Sequence, residues 1–556
     1  MRCLLILILL TSYSSSYSQY TRYIIEFKDK KGTAFSLSSP NSFLSSESIA
    51  RKKLFSIPID STDLPVSKVY LDSIATLADI KVLYTSKWLN LAIIQTTNQN
   101  SLNSINKFNF IKKQYPIANV AVKYTPPKME EKVISGAFSV AVETPNENIL
   151  SYGKSSNQIT IHEGEFLHNK EFQGEGIKIA LFDGGFYKYL NYSPFDSIRK
   201  KNKIKYTWDF IQNDANVNDD DPHGMNCLSI MAGNIPGLFV GTSPNATYYL
   251  FRTEDSRSEY PIEEAYWLIA AERADSIGIQ IISSSLGYTT FDDGYFNHQY
   301  SDLDGMKTLV SKAASMAVSK GMIVTNSAGN EGNDPWKYIS APADGINVLA
   351  IGAINSNKQI ASFSSFGPSA DGRTKPDVIS VGMNTQLVAA DGSIGIGSGT
   401  SFSNPNIAGL IACLWQAFPE FSHLEIIEAI KKSSDQYTNP DNRKGYGIPN
   451  MRIAYIQLEH ERALRNAKRI LTESRIKAYP NPITNECNLA YKSSSNGYFQ
   501  WQLMNIHGQV IRSAKEVVKK DEYYVFNIDR LEILPNGKYF IRYMDDQGNG
   551  TIQVIK

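Results

Sequence analysis

One serine in this sequence stands in surroundings that suit nucleophilic catalysis. Ser401 lies in the segment GTSFSNPNIAG (399–409), between a glycine-rich stretch and an almost wholly apolar helix predicted over 404–418. At a helix N-terminus the backbone N–H groups and the helix dipole both stabilise a developing oxyanion. Such a serine attacks a carbonyl only when a base takes its proton and a carboxylate orients that base. Without those partners, a serine before a helix is usually only a cap.

Candidates for the carboxylate and the base precede Ser401 in the chain. Asp183 directly follows the apolar run GIKIALF (176–182), which is typical of a buried strand. His223 opens the segment HGMNCLSIMAG (223–233), which predicts a helix. Taken singly, the aspartate would be a turn residue and the histidine a surface residue in most proteins. Together with Ser401 they supply every group that a hydrolytic triad needs, in the order Asp, His, Ser.

These segments resemble the motifs of the subtilisin-like serine proteases, the subtilases of peptidase family S8, whose triad has the same chain order. The resemblance implies that Asp183, His223 and Ser401 are the triad of a serine endopeptidase acting through an acyl-enzyme. It also implies the subtilisin-like three-layer α/β fold with a mainly parallel central sheet. Four positions depart from the usual family residues: Gly184, Met225, Asn226 and Phe402.

Two further segments are similar to family motifs for the oxyanion and the substrate. The segment SAGNEG (327–332) implies that Asn330 and the Ser401 backbone N–H stabilise the oxyanion. The segment SSLG (284–287) resembles the strand that pairs with extended peptide. Ser340 is expected at the floor of the pocket for the residue before the cleaved bond. The substrate-binding residues implied by the resemblance are Ser285, Leu286, Gly287, Ser327, Ala328 and Gly329.

No metal or cofactor can be derived from the sequence, and the chemistry described requires none. Some subtilases bind structural calcium, but the acidic run DDD (219–221) is better interpreted as a solvated turn. Cys227, Cys413 and Cys487 are too few for a disulfide framework and lack zinc-site spacing. Cys227 follows His223 by four residues on the predicted helix, so its thiol is expected beneath the imidazole.

The remaining elements of the central part alternate between strand and helix. This alternation over 154–458, the predicted catalytic domain, is typical of an α/β protein with a parallel sheet. The predicted elements between the motifs are strands at 279–286, 322–327 and 347–354 and helices at 261–275 and 306–319.

The chain before this domain predicts a propeptide and a linker. Segments 43–58 and 82–90 resemble the prodomains of Bacteroidetes subtilases. The resemblance implies that residues 19–125 are an α+β propeptide that inhibits the protease and templates its folding. The polar stretch 126–153 contains Pro and Glu and predicts a linker.

The first 18 residues have the organisation of a Sec signal peptide. Arg2 precedes an apolar run at 4–10, which is shorter than the roughly 20 residues that span a bilayer. The formal net charge of +1 gives no global field for nucleic acid or an anionic membrane. We therefore expect an exported protein with no transmembrane segment and no nucleic-acid partner.

The chain after the catalytic domain predicts a helix and then a small all-β sandwich. A Lys-, Arg- and Glu-rich helix is expected at 457–474, with 459–474 serving as a linker, and short strands with turn signals fill 475–556. Three segments resemble the C-terminal sorting domain of the type IX secretion system: 478–482, 505–510 and 534–540. The resemblance implies Sec export, type IX machinery as a partner, and a secreted or outer-membrane surface location. The alternative is a generic β-sandwich binding module.

Three functions compete for the whole chain. The first is an active endopeptidase, the second an inactive binding protein on a protease scaffold, and the third an adhesin. Inactive relatives lose a triad residue or the oxyanion asparagine, and all four are present here. An adhesin does not explain why over half the chain is the catalytic unit. We therefore predict a secreted serine endopeptidase, monomeric, whose partners are protein or peptide substrates and its own propeptide.

Overall fold

A computed structural model describes residues 20–119, 133–135 and 148–556. The predicted signal peptide (1–18) and most of the predicted linker (126–153) lie outside these described residues. The chain forms two compact units, Met1–Ala454 and Tyr455–Lys556. Within the described residues, no helix is long and apolar enough to cross a membrane.

The first part of the larger unit is an antiparallel sheet in the order β2-β3-β1-β4. Successive residues of a strand point to opposite faces of the sheet, and β1 carries buried apolar residues on both faces. Ile24 packs into the core shared with the central domain, whereas Ile25 packs against the sheet's own helices. The sheet is therefore apolar on both faces, which explains its lack of polar alternation. Its elements are β1 Tyr20–Phe27, α1 Ser46–Leu54, α2 Lys68–Ala75, β2 Lys81–Ser86, β3 Leu91–Gln95, α3 Gln99–Ile105 and β4 Ile111–Asn119.

The centre of this unit is a seven-stranded parallel sheet in the order β13-β12-β11-β10-β5-β9-β6. Helices cover both faces, so its strands are almost continuously buried except for the edge strand β6. The strands of this sheet are β5 Lys178–Asp183, β6 Ile204–Asp209, β9 Thr247–Arg252, β10 Ile281–Ser284, β11 Ile323–Ser327, β12 Leu349–Ile354 and β13 Val378–Val381.

Helices and two hairpins surround this sheet. All residues of α10 except Gln416 are buried, as its apolar sequence predicts. The helices are α4 Ser156–Thr160, α5 Gly164–Asn169, α6 Asp196–Lys200, α7 His223–Ala232, α8 Ile262–Ser276, α9 Leu309–Ser319, α10 Thr400–Ala417, α11 His423–Lys432 and α12 Met451–Ile470, and the hairpins are β7 Asn234–Ile235 with β8 Phe239–Val240 and β14 Thr385–Val388 with β15 Ile394–Gly397. The α/β fold class predicted from the sequence is confirmed.

Two helices begin several residues earlier than the sequence predicts. Helix α10 begins at Thr400 rather than 404, because small polar residues in its first turn bond to neighbouring loops instead of continuing the apolar pattern. Helix α12 runs from Met451 to Ile470 rather than 457–474. It begins earlier because the side chain of Asn450 accepts a 3.0 Å hydrogen bond from the Ile453 N–H.

The smaller unit contains most of α12 and two antiparallel sheets. Their strand orders are β16-β17-β20 and β19-β18-β21-β22. Buried residues of both sheets, among them Leu489, Trp501 and Ile541, form one core, which confirms the predicted all-β C-terminal part. The strands are β16 Ile476–Tyr479, β17 Cys487–Lys492, β18 Gly497–Met504, β19 Val510–Val518, β20 Tyr523–Ile528, β21 Lys538–Asp545 and β22 Gly548–Ile555.

Candidate active site

The last residue of β5 and the first residue of α7 are hydrogen-bonded to each other. His223 Nδ1 lies 2.7 Å from Asp183 Oδ1, and Gly184 N–H donates to the same oxygen at 2.8 Å. Asp183 is only 1% exposed, and this burial raises the pKa of its carboxyl against the lowering effect of His223. Because a carboxylate can only accept, Nδ1 must donate, which leaves Nε2 as the acceptor of a neutral imidazole.

Two neighbouring residues explain why His223 opens a helix at this point. Asp221 Oδ1 accepts a 2.8 Å bond from the His223 N–H and so caps α7. A Cβ on Gly224 would lie 2.4 Å from the Gly185 carbonyl oxygen and 2.8 Å from Asp183 Cβ. Only glycine therefore allows the helix to approach the end of β5 this closely.

The acidic run 219–221 is accounted for by protein contacts. Asp221 caps α7, and Asp220 forms a 3.2 Å ion pair with Arg252. In the part of the chain that the structure describes, the three carboxylates do not converge as a three-ligand cluster.

Ser401 is the second residue of α10, and Pro405 changes how its backbone is bonded. A regular helix would bond the Ser401 carbonyl to the N–H of residue 405, and proline has none. The carbonyl instead accepts from Ser285 Oγ at 2.9 Å and from Cys227 Sγ at 3.4 Å. Ser401 Oγ in turn donates to the Ser285 carbonyl at 3.2 Å. Ser401 is thereby tied both to the end of β10 and to α7.

Two side chains join the surroundings of Ser401 to those of His223. The Phe402 ring centroid lies 5.8 Å from that of His223. Cys227 Sγ, a ring nitrogen of His223 and a carboxylate oxygen of Asp183 all lie within 4.8 Å of one another. The structure therefore brings all three sequence-predicted triad residues together, and the predicted place of Cys227 beneath the imidazole is confirmed.

Phe402, which stands where the family usually has Met, fits because its neighbour is small. Its side chain is fully buried, and a Cβ on Gly397 would lie 2.6 Å from the ring. Glycine at 397 therefore provides the volume that the larger residue needs.

Asn330 is held against the start of α10 in one orientation. Its Oδ1 accepts from the Thr400 N–H at 2.8 Å and from the Thr400 hydroxyl at 2.9 Å. A backbone N–H can only donate, so the oxygen end of the amide must face Thr400 and the NH₂ end is turned away. Thr400 Oγ1 also accepts from the Gly329 N–H at 3.2 Å. Sequence reasoning did not single out Thr400, although it adjoins the serine in the motif.

The two segments predicted to bind substrate both contact the segment 340–341. Segment 340–341 bridges them, since Ser340 N–H donates to the Ala328 carbonyl and Ala341 N–H to the Tyr288 carbonyl. A Cβ on Gly287 would lie 2.2 Å, and one on Gly329 3.0 Å, from Ser340 Oγ. Ser340 is 1% exposed, and its hydroxyl has no hydrogen-bond partner among the described residues. The Ser340 hydroxyl thus lies close to both Gly287 and Gly329. Of the predicted lining, Ser285, Leu286, Ser327 and Ala328 are buried and Gly287 and Gly329 are the more open.

Two buried asparagines fix the elements that carry the site. Asn226 donates to the Val388 carbonyl at 2.6 Å and so attaches α7 to β14. Asn404 donates to the Ser284 carbonyl at 3.1 Å and so attaches α10 to β10. Both positions could have been suspected, because a polar side chain inside an apolar helix must find partners when buried.

Three parts of the chain are similar to known protein families. Residues 174–447 match the Subtilase family, residues 22–132 the Bacteroidota Peptidase S8 propeptide domain, and residues 477–556 the secretion system C-terminal sorting domain. Subtilisin NAT from Bacillus subtilis subsp. natto is 28% identical over 293 residues, which cover 52% of this chain and 68% of the relative. Subtilisin from Bacillus pumilus is 27% identical over 293 residues, covering 52% and 94%. Serine protease AprX from Bacillus subtilis (strain 168) is 27% identical over 320 residues, covering 52% and 68%. The chain therefore belongs to the subtilase family of serine peptidases and carries a Bacteroidota-type propeptide domain and a secretion-system sorting domain.

Proposed function

We propose that this subtilase is an active, exported endopeptidase with Ser401 as nucleophile, His223 as general base and Asp183 as the carboxylate that orients it. The observation that carries the proposal is the 2.7 Å bond between His223 Nδ1 and Asp183, formed beside the first turn of α10. This bond presents the basic Nε2 on the opposite side of the ring from Asp183.

Every proton transfer of the proposed mechanism passes through His223. The Ser401 hydroxyl, which donates to the Ser285 carbonyl at rest, rotates toward Nε2 as Oγ attacks the peptide carbonyl carbon. His223 takes that proton, and the Asp183 carboxylate stabilises the imidazolium. Collapse of the tetrahedral intermediate breaks the C–N bond, and His223 returns the proton to the leaving amine. Water then attacks the acyl-enzyme by the same route, so catalysis needs no cofactor.

The oxyanion is stabilised by two donors at the start of α10. One is the Ser401 backbone N–H, because first-turn N–H groups have no partner within their own helix. The other is the NH₂ group of Asn330, which Thr400 orients by holding the oxygen end of the amide. Preorganised donors of this kind supply much of the rate enhancement in acyl transfer.

The substrate is an extended polypeptide that lies between the segments 285–287 and 327–329. The hydroxyl of Ser340 closes the pocket for the residue before the cleaved bond, because it lies between Gly287 and Gly329. All these groups come from one chain, which supports a monomeric enzyme.

The remaining parts serve maturation and export. We propose a signal peptide at 1–18, a propeptide at 19–125, a linker at 126–153, a catalytic domain at 154–458, a helical linker at 459–474 and a sorting domain at 475–556. The sorting domain then directs the exported protein through the type IX secretion system to the medium or the outer-membrane surface. The limit at 458 falls inside α12, so this helix is shared by two functional parts.

Replacement of the proposed nucleophile tests the activity. Ser401→Ala is expected to unfold at the wild-type temperature but to hydrolyse casein about 10⁶-fold more slowly, a magnitude taken over from subtilisin. It should also fail to react with a fluorophosphonate and fail to cleave its own linker. Ser319→Ala, an exposed change on α9, is the control and should match wild type. Undiminished casein hydrolysis by Ser401→Ala would refute the assignment.

A further inference from the structure

A buried arginine is the last residue of β9, beside the carboxylate of the proposed triad. Arg252 is the cross-strand partner of Asp183, because β9 pairs in parallel with β5, and the Thr253 N–H donates to the Asp183 carbonyl at 2.9 Å. Only 2% of Arg252 is exposed to solvent. A buried guanidinium is costly unless it is paired and hydrogen-bonded, so its partners indicate what it does.

The Arg252 guanidinium contacts three segments that are distant from it in the chain. Nε donates to the Gly184 carbonyl at 2.9 Å, in the loop that follows Asp183. Nη1 donates to Asp209 Oδ2 at 2.7 Å, at the end of β6, and forms a 3.2 Å ion pair with Asp220, in the loop that precedes α7. Asp209 is fully buried and compensates the charge. The other two contacts reach the loops that carry the proposed aspartate and histidine.

The contact with Gly184 acts on the carboxylate of Asp183. Gly184 N–H donates to Asp183 Oδ1 at 2.8 Å, and the same oxygen lies 2.7 Å from His223 Nδ1. Because Gly184 has no side chain, this residue is held through its backbone, and its carbonyl is the group that Arg252 binds. Arg252 is therefore two hydrogen bonds away from the carboxylate that orients the proposed base.

The contact with Asp220 acts on His223. Asp220 directly precedes Asp221, whose carboxylate accepts the His223 N–H at 2.8 Å at the start of α7. The Asp221 carbonyl accepts from the Tyr187 N–H at 3.3 Å, so the loop before α7 also lies along the loop after β5. One guanidinium thus ties together the two loops whose separation sets the distance between Asp183 and His223.

We propose that Arg252 is a positioning residue: by tying these two loops, it holds the Asp183 carboxylate at hydrogen-bonding distance from His223 Nδ1. The inference rests on the proposed function. Such positioning matters because a displacement of about 1 Å costs about 10²-fold in rate even when the substituted residue lies away from the chemistry. Arginine suits the task, because its planar guanidinium presents several donors in fixed directions, whereas the lysine ammonium is a compact point charge.

Replacement of Arg252 tests this role in the purified, self-processed enzyme. Arg252→Lys keeps a charge for the buried Asp209 but cannot reach both loops as well, so kcat should fall about 10²-fold and KM should stay unchanged. The acidic limb of the kcat/KM profile reports protonation of the base, and it should move to lower pH because a displaced carboxylate stabilises the imidazolium less. Lys375→Met is the control, because it also removes a buried cation paired with an aspartate, Asp377. It should lower the unfolding temperature and leave kcat and the pH profile unchanged. Wild-type kcat in Arg252→Lys would overturn the inference.

Asp220→Ala tests the second contact without a change in the core, because the Asp220 side chain is 30% exposed. It should lower kcat about tenfold, whereas Asp219→Ala should have no effect, because the neighbouring carboxylate binds Asn216 instead. In the double variant with Arg252→Lys, the two losses in kcat should not add, since both break the same connection. Additive losses, or equal kcat in Asp219→Ala and Asp220→Ala, would also overturn the inference. Wild-type enzyme without peptidase activity would refute the proposed function itself, which is a distinct result.

Discussion

Ser401 is held by contacts that an uninterrupted helix could not provide. Pro405 leaves the Ser401 carbonyl without its helical donor, and Ser285 and Cys227 take that place. The same serine hydroxyl bonds back to the Ser285 carbonyl. The proposed nucleophile, the proposed substrate-binding residue Ser285 and the helix that carries His223 therefore share one set of bonds, so a shift of any of them displaces the others.

The role proposed for Asn330 separates into two parts that substitutions can distinguish. Asn330→Ala removes both the NH₂ donor for the oxyanion and the acceptor for Thr400, and kcat should fall about 10²–10³-fold, a magnitude taken over from subtilisin. Asn330→Asp keeps an acceptor for the two Thr400 donors but cannot donate to an oxyanion. If donation is the role, steady-state kinetics should give a similar loss in kcat for both. Near-normal kcat in Asn330→Asp would show instead that the residue only positions Thr400.

Sequence motifs singled out the residues whose side-chain chemistry the proposed reaction requires. The proposed triad and Asn330 were each found in a segment whose residue types resemble one family pattern. Thr400, Asn226 and Asn404 lie in the same segments, but their bonds to Asn330, β14 and β10 were not predicted, because these partners are distant in sequence. Such pairings depend on the tertiary fold and leave no local periodicity in the chain.

At the scale of elements, the propeptide sheet meets the protease through buried charges as well as apolar residues. Lys320, at the end of α9, is 4% exposed and contacts Asp63 Oδ2 at 3.1 Å and the Thr62 hydroxyl at 2.6 Å. On α8, the fully buried Asp275 pairs with Lys52 at 3.2 Å and with Arg51. Charges are tolerated at such burial only when they are paired. Paired buried charges therefore hold the propeptide domain against α8 and α9 in addition to apolar packing.

Lys320→Ala should speed the departure of the cleaved propeptide. Among the described residues, Asp63 forms ion pairs with two lysines, Lys320 and Lys52, and the substitution leaves the 3.4 Å pair with Lys52. The buried carboxylate therefore loses one of its two lysine ion pairs. Loss of one partner from a buried pair costs ~3 kcal/mol or more, which corresponds to about 10²-fold faster release. The rise of activity after self-processing measures the rate, with Lys312→Ala on the same helix as control. Release at the wild-type rate would mean that apolar packing alone retains the propeptide.

The order of the strands in the central sheet cannot be predicted from local sequence. Alternating strand and helix signals predicted a parallel sheet, but the order β13-β12-β11-β10-β5-β9-β6 depends on crossovers between segments far apart in the chain. The start of α10 was missed for a related reason. Its first turn is polar and glycine-flanked, and only its contacts with Asn330 and β10 make it helical.

At the scale of the molecule, the smaller unit has a core of its own. Tyr491 stacks on Phe499 with ring centroids 4.0 Å apart, and the Tyr491 hydroxyl donates to Asp545, which also pairs with Arg475. Within this unit, Ala467 near the end of α12 and Leu471 just after the helix pack against Ala490 of β17. None of the residues proposed to act on substrate lies in it. A unit with its own core and no part in the chemistry is suited to a task that concerns the whole protein, such as export.

Removal of residues from Ile476 onward should therefore separate activity from export. The truncated protein keeps every proposed catalytic and substrate-binding residue, so its periplasmic extract should hydrolyse casein at the wild-type rate per molecule. It should nevertheless be absent from the medium and the cell surface of a host with a type IX secretion system, as measured by immunoblotting of cell fractions. Full-length Ser401→Ala is the matched control, because it retains the sorting domain and lacks activity, and it should be exported normally.

The truncation exposes the apolar residues of α12 that face β17, so the solubility and the unfolding temperature of the truncated protein must be measured alongside. Truncated protein that reached the medium at wild-type levels would refute the export role, and soluble truncated protein without activity would mean that the smaller unit supports the catalytic domain.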